Sequence, residues 1–467
     1  MAVFDGYNVT VYKKKKKLTA RQGAMRTYLK RAIPTEPADR SRIEGTVRRM
    51  LADIEANRDE AIRRYARDLD KWDAPEMRVA PDTIARVTKA MPETFKEDFA
   101  FCLRQVSNFA RKQLDSMRPF EVELEPGITL GQRLIPVENV GCYIPGGKYP
   151  LVAAAIMSVG TARVAGVKHI VGCAPPRGPE GIFPPTLYAL HAAGADEIYV
   201  LGGVQAMAAM AHGCVGMSAV DMITGPGNAY VAESKRQLFG TVGIDLLAGP
   251  TEICIVADDS ANPSLVATDL LGQAEHGADS PAWLVTTSRR LGEAVAREVD
   301  RQLQKLPTAE IAAVAWRNNG EIVVVDSDSE AVEVSDEYAP EHLEVMCANN
   351  DFYLANLRNY GSLFVGEEST VAYGDKGVGT NHTLPTGKAA RYTGGLWVGK
   401  FIKTVTYQRL TREASRRIAP IMSRQCEVEG MLAHQITADV RFARYAPGNE
   451  EVALATRRAR RSTHGEG

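Results

Sequence analysis

Between residues 140 and 240, short apolar runs alternate with helical stretches at a spacing of about 25 residues, the pattern of βαβ units wound around a parallel sheet. The runs are Val140-Gly-Cys-Tyr-Ile144 and those at 169–173, 198–201 and 220–224. The helices lie at 151–165, 186–193, 205–211 and 229–239. A second such run has strands at 252–257, 283–286 and 321–325, with helices at 264–272 and 291–304. The expected fold class is α/β, with two Rossmann-like parallel-sheet domains and small helical or extended N- and C-terminal parts.

The expected organisation is a basic, disordered arm at 1–27 and a helical N-terminal part at 28–139 that contributes to the first α/β domain. That domain spans 140–250 and the second spans 251–394. A C-terminal part at 395–445 and a disordered tail at 446–467 complete the chain. In the N-terminal part, Ile43, Val47, Met50, Leu51 and Ile54 recur at helical spacing, and Ile62, Tyr65 and Leu69 resume it. Pro81-Asp82 opens a second helix, and 95–114 forms a third.

At 467 residues the chain is too long for one small core. A net charge of −1 gives it no electrostatic reason to seek nucleic acid or anionic membrane. The lysine run at 13–17 reads either as a solvated arm or as a nucleic-acid contact. No apolar run is long enough for a membrane span, and the N-terminus lacks a secretory pattern. The seven cysteines include no CxxC and read as reduced core residues, so a cytoplasmic location is expected.

Ligands of open α/β sheets gather at the carboxyl ends of strands. In the first run those ends are 143–147, 202–205 and 225–228, all containing glycine. None forms GxGxxG; Gly225-Pro-Gly227 comes nearest, but Tyr230 stands in the third glycine position. Either these are tight turns, or they meet a dinucleotide without the usual fingerprint.

Histidine is scarce, and His276, His342, His382 and His434 have distinctive surroundings. His276 closes Gln273-Ala-Glu-His276, after a helix that Asn262 would cap and Pro263 would open. If the helix runs on, Gln273 and His276 share one face. Such a pair is a solvated helix end or half of a ligand set. Asp375 lies in Tyr373-Gly-Asp-Lys376.

Several segments together resemble the histidinol dehydrogenase family: Gly141-Cys-Tyr-Ile-Pro-Gly-Gly147, Gly225-Pro-Gly-Asn228, Gly243-Ile-Asp-Leu-Leu-Ala-Gly-Pro-Thr-Glu252, Gln273-Ala-Glu-His276, Ala339-Pro-Glu-His-Leu343, Asn381-His-Thr-Leu-Pro-Thr386, and Glu429 with His434. The resemblance covers roughly residues 28 to 443 in family order. It implies zinc held by Gln273, His276, Asp375 and His434, a borderline-soft set of two imidazoles and two oxygens. It implies Glu341 and His342 as the acid/base pair and Tyr143, Gln205 and Asn228 as NAD contacts. Thr251, Glu341, His342, Asp375, His382 and Glu429 would meet the substrate. His342 is expected neutral at working pH, and the resemblance also implies an intertwined homodimer using the C-terminal part. The implied reaction takes a small primary alcohol to a carboxylate in two hydride transfers to NAD.

The chain departs from ordinary histidinol dehydrogenases, which usually have serine at Thr251 and no lysine at Lys376. The segments at 141–143, 276–283 and 374–377 look more like the sulfopropanediol dehydrogenase branch, which oxidises 2,3-dihydroxypropane-1-sulfonate to 3-sulfolactate. Lys148, Lys376 and Lys388 would attract a sulfonate and repel the ammonium of histidinol. The retained Glu429 argues for L-histidinol instead, and the lysines could equally meet NAD phosphates or solvent. A catalytically silent zinc-binding relative is the reading from another class.

Overall fold

The computed structural model describes residues 26–33, 40–147, 149–178 and 181–446; the lysine run at 13–17, Lys148 and the tail from 447 lie outside them. The chain divides into two compact units. One comprises Met1–Gly45, Leu246–Lys376 and His382–Gly395, the other Thr46–Asp245, Gly377–Asn381 and Leu396–Gly467.

The first unit is built on a six-stranded sheet ordered Thr27–Lys30, Gly320–Val324, Ala282–Thr286, Ile253–Ala257, His342–Met346, Ser362–Val365. All pairings are parallel except that of the edge strand Thr27–Lys30. Ile253-Cys-Ile-Val-Ala257 is apolar at every position because both faces of its strand are covered. Ile253, Ile255 and Ala257 join a core with Val266, Leu270, Val295 and Ala312 from the helices Pro263–Ala274, Arg289–Leu303 and Ala309–Asn319. Cys254 and Val256 join a second core with Val334 from Asp328–Tyr338 and Tyr353 from Asn350–Asn356.

The second unit holds a five-stranded parallel sheet ordered Glu197–Val200, His169–Ala174, Asn139–Tyr143, Met222–Thr224, Gly243–Ile244. The winding direction reverses at Asn139–Tyr143, so a topological switch point falls between it and Met222–Thr224. The N-terminal helices form as Arg40–Asp70, Pro81–Ala90 and Glu93–Ser116. The first is kinked at Arg58, whose φ is +45°, within the gap between Ile54 and Ile62 where the apolar repeat lapses.

Residues 120–136 depart from the helical expectation. Phe120–Glu125 and Ile128–Pro136 form a hairpin, and Ile402–Leu410 pairs antiparallel with its second strand. Phe120-Glu-Val-Glu-Leu-Glu125 alternates with a period of two, which is a strand pattern. The described residues end in the helices Arg412–Val428 and Leu432–Arg444. No described helix is long and apolar enough to cross a membrane, and all seven cysteines are free thiols, five of them buried.

One buried ion pair shapes the loop after Met222–Thr224. Gly225 has φ +120°, and a Cβ there would stand 2.1 Å from the Tyr143 carbonyl oxygen, so the position needs glycine. Asp245 Oδ2 accepts from the Gly225 amide (2.8 Å), and the Lys235 ammonium donates to the Gly225 carbonyl (3.0 Å) and to Asp245 Oδ1. Lys235 and Asp245 are both buried. Asp245→Ala would leave a buried ammonium without its counter-charge. Urea denaturation should show a loss of about 3–5 kcal/mol, much of it recovered when Lys235→Met is added.

Candidate active site

In the first unit the polar side chains converge on the amino ends of the strands, opposite to the end where α/β sheets usually bind ligands. The register pairs His342 with Ile253, which brings Glu341 and His342 alongside Thr251 and Glu252. Glu341 Oε2 accepts from the Thr251 hydroxyl (2.5 Å) and the Glu252 amide (3.1 Å). His342 Nδ1 lies 3.0 Å from the Glu252 carbonyl oxygen and 3.5 Å from Glu341 Oε2. An acceptor-only carbonyl requires a proton on Nδ1, so in the neutral ring Nε2 carries the lone pair. Nε2 is buried without a hydrogen-bond partner and stands 3.7 Å from Asp375 Oδ1.

Gln273 ends the helix Pro263–Ala274, which the Asn262 side chain caps by accepting from the Ser264 amide (2.9 Å). Its amide nitrogen donates to the Thr251 hydroxyl and lies 3.5 Å from His342 Nδ1. The helix does not run on to His276. Glu275 is its C-cap, and the His276 amide folds back to the Gln273 carbonyl (3.2 Å). Gly277 and Pro281 follow and do not favour helix. His276 is therefore placed by a turn, not by a shared helical face.

Asp375 lies in the last turn of Val371–Lys376, and its carbonyl oxygen is 2.8 Å from His382 Nδ1. Two helix C-termini thus bring partial negative charge to this end of the sheet, which favours a cation.

The electrostatics follow from burial and close opposite charge. Burial opposes ionisation of Asp375, but His342, His382 and Lys376 outweigh it and hold the carboxyl well below the usual range. Burial lowers His276 and His382, which favours the neutral imidazole that a metal ligand such as His276 needs. Burial raises Glu341. Burial also works against an imidazolium at His342, yet Glu341 and Asp375 prevail and raise it to about 9. The neutral His342 expected from the sequence thus does not hold while both carboxylates face it.

Among the described residues, no three His, Cys, Asp or Glu side chains close on a common point. The donor chemistry of Gln273, His276 and Asp375 nevertheless suits zinc: an amide, a neutral imidazole and an ionised carboxylate. Glu429 and His434 belong to the second unit, exposed around the turn between its last two helices.

Tyr143, Gln205 and Asn228 stand at the carboxyl ends of three strands of the second unit. The Tyr143 hydroxyl accepts from the Gly203 amide (3.2 Å), and burial pushes it up to about 12. The Asn228 side-chain oxygen caps Ala229–Leu238 by accepting from the Tyr230 and Val231 amides.

Two acids escaped the sequence reading. Glu252 accepts from the Gly387 amide (3.2 Å), and burial together with Glu341 raises it to about 8. Glu344 is fully buried and raised by burial and by Asp269; its Oε1 accepts from the Val371 amide (3.0 Å), and its Oε2 is buried without a hydrogen-bond partner among the described residues. The available signal was His342 and Glu344 at alternate positions of one strand, hence on one face.

A profile of the histidinol dehydrogenase family matches residues 34–442. A protein named histidinol dehydrogenase homolog, from Shouchella clausii, is 54% identical over 404 residues, covering 86% of this chain and 95% of the relative. The sulfopropanediol 3-dehydrogenase of Ruegeria pomeroyi is 47% identical over 422 residues, covering 90% and 97%. The crystal structure of histidinol dehydrogenase from Elizabethkingia anophelis superposes with a TM-score of 0.82 at 34% identity, covering 88% and 94%. The chain belongs to the histidinol dehydrogenase family and is an oxidoreductase of that family.

The raised Glu252 has a consequence for stability. Its folded value of about 8 lies above its unfolded value, so the native state holds a proton that the unfolded chain releases. Stability should fall as pH rises from the ordinary glutamate range to about 8, at about 1.4 kcal/mol per pH unit for this one group. Glu252→Gln should flatten that slope when urea midpoints are followed against pH.

Proposed function

We propose that this member of the histidinol dehydrogenase family oxidises a small primary alcohol through the aldehyde to a carboxylate, using zinc and two molecules of NAD in turn. The observation that supports this most is His342, whose Nδ1 is tied to a backbone carbonyl beside Glu341 while Nε2 is buried without a hydrogen-bond partner, 3.7 Å from Asp375. Gln273, His276, Asp375 and His434 would hold the zinc, which supplies Lewis acidity toward the substrate oxygen. Tyr143 and Asn228 would contact NAD, with Gln205 buried just beneath that surface.

His342 Nε2 takes the hydroxyl proton as hydride leaves the carbon for NAD. For this it must be neutral, and once Asp375 is committed to a cation, Glu341 is the main support left for the imidazolium. Glu341 then takes a proton from the water that adds to the aldehyde. As that water adds, the His342 imidazolium returns its proton to the aldehyde oxygen, and the resulting hydrate then gives a proton to the neutral His342 and its hydride to a second NAD. Thr251, hydrogen-bonded to both Glu341 and Gln273, fixes the acid and the amide relative to each other.

The substrate we favour is 2,3-dihydroxypropane-1-sulfonate, giving 3-sulfolactate. Lys376 is exposed, and its charge acts on His276, Asp375 and His382. A permanent anion gains from that field and an ammonium loses. The 47% identical relative named for a sulfopropanediol supports the same choice. The second reading is L-histidinol to L-histidine, favoured by the retained Glu429. Exposed Val428, Met431, Leu432, Ile436 and Phe442, on the last two helices and the turn between them, support the implied homodimer.

NADH release by zinc-loaded protein, followed with L-histidinol and with each enantiomer of the sulfonate diol, tests this reading. Turnover of a sulfonate enantiomer is expected at the higher kcat/KM. Preference for histidinol would overturn the substrate, and no turnover of any of the three would overturn this assignment. Lys376→Ala should raise KM for the sulfonate by about tenfold while leaving that for histidinol unraised.

A further inference from the structure

Asp70, the last residue of the helix Arg40–Asp70, lies against the first turn of the helix Gly203–His212. Its Oδ2 accepts two hydrogen bonds, from the Gly202 amide at 3.1 Å and from Gln205 Nε2 at 2.8 Å. Oδ1 makes no hydrogen bond to the described residues, and the side chain is only half-buried. One carboxylate oxygen is thus pinned and the other is left open.

Gln205 is the reverse case. It is 1% exposed, and its Oε1 has no partner. The amide is oriented by chemistry: turning it over would set Oε1 against a carboxylate, two acceptors face to face. Gln205 is therefore sealed beneath Asp70, and its donor group aims the carboxylate.

A helix N-terminus ordinarily offers its amides to an anion. Here the Gly202 amide is spent on Asp70 and the Gly203 amide on the Tyr143 hydroxyl. A phosphate arriving at this turn would find those two donors taken and a negative charge in place. A hydroxyl would find an open acceptor. In the sheet, Glu197–Val200 lies on the opposite side of Asn139–Tyr143 from Met222–Thr224. In doubly wound sheets an acidic residue that meets the ribose hydroxyls favours NAD, whereas the 2′-phosphate of NADP calls for an arginine.

We propose that Asp70 discriminates between coenzymes: its open oxygen accepts a hydrogen bond from a ribose hydroxyl of NAD, its charge excludes the 2′-phosphate of NADP, and Gln205 is its positioning residue. This rests on the NAD reading above and adds a residue to it. Asp70→Ser and Asp70→Asn keep a small polar side chain and remove the charge. Each should raise KM for NAD by about tenfold with kcat within about threefold, and raise the NADP/NAD ratio of kcat/KM by at least about tenfold. If both variants fail to fold, the wild-type protein still decides. Calorimetry on the zinc-loaded enzyme should show ADP-ribose binding at least about tenfold more tightly than 2′-phospho-ADP-ribose. Equal affinities, or variants that melt earlier with an unchanged NADP/NAD ratio, would overturn the proposal alone. A wild-type protein that binds neither NAD nor ADP-ribose would overturn the coenzyme reading and this inference with it.

Discussion

The parallel pairing of His342–Met346 with Ile253–Ala257 is the constraint on which the chemistry of the first unit depends. Because His342 stands opposite Ile253, the Glu252 carbonyl is within reach of both the His342 amide (3.3 Å) and its Nδ1 (3.0 Å). A slip of one residue would turn His342 to the other face of the sheet. The apolar residues on both faces of these strands, divided between two cores, resist such a slip. Packing thus selects the register, the register selects the tautomer, and the tautomer leaves the lone pair on Nε2.

Around that imidazole the protein gathers more acid than it can keep ionised. Glu252, Glu341 and Glu344 are buried and raised above the ordinary glutamate value, each chiefly by loss of water. Asp375 alone is pushed the other way, by the positive groups facing it. The result is one firmly ionised carboxylate beside a set of acids that hold protons readily. Such an arrangement is suited to a cation at Asp375 and to proton transfer behind it.

Much of this was legible in the residues. The βαβ alternation predicted both parallel sheets, and the apolar runs marked strands covered on two faces. The Asn262-Pro263 signal located a helix start correctly, because capping is a local event. The end of that helix was not readable, since a turn closed by the His276 amide leaves no periodic trace. The hairpin at 120–136 was missed although Phe120–Glu125 alternates, because its partner Ile402–Leu410 lies over 260 residues away. Glu252 and Glu344 drew no attention for a related reason: a glutamate in sequence does not reveal that the fold will seal it from water. Asp70 closes a helix of ordinary composition, and only tertiary structure sets it against Gln205.

In the proposed reaction His342, held by the Glu252 carbonyl, carries the protons, and chemical rescue tests that role most directly. His342→Gly in the zinc-loaded enzyme should lose at least about a hundredfold in kcat. Added imidazoles of graded basicity should restore NADH formation, with rates that rise with the basicity of the rescuing base. A variant that keeps full activity, or one that folds and binds substrate yet gains nothing from any imidazole, would contradict the account.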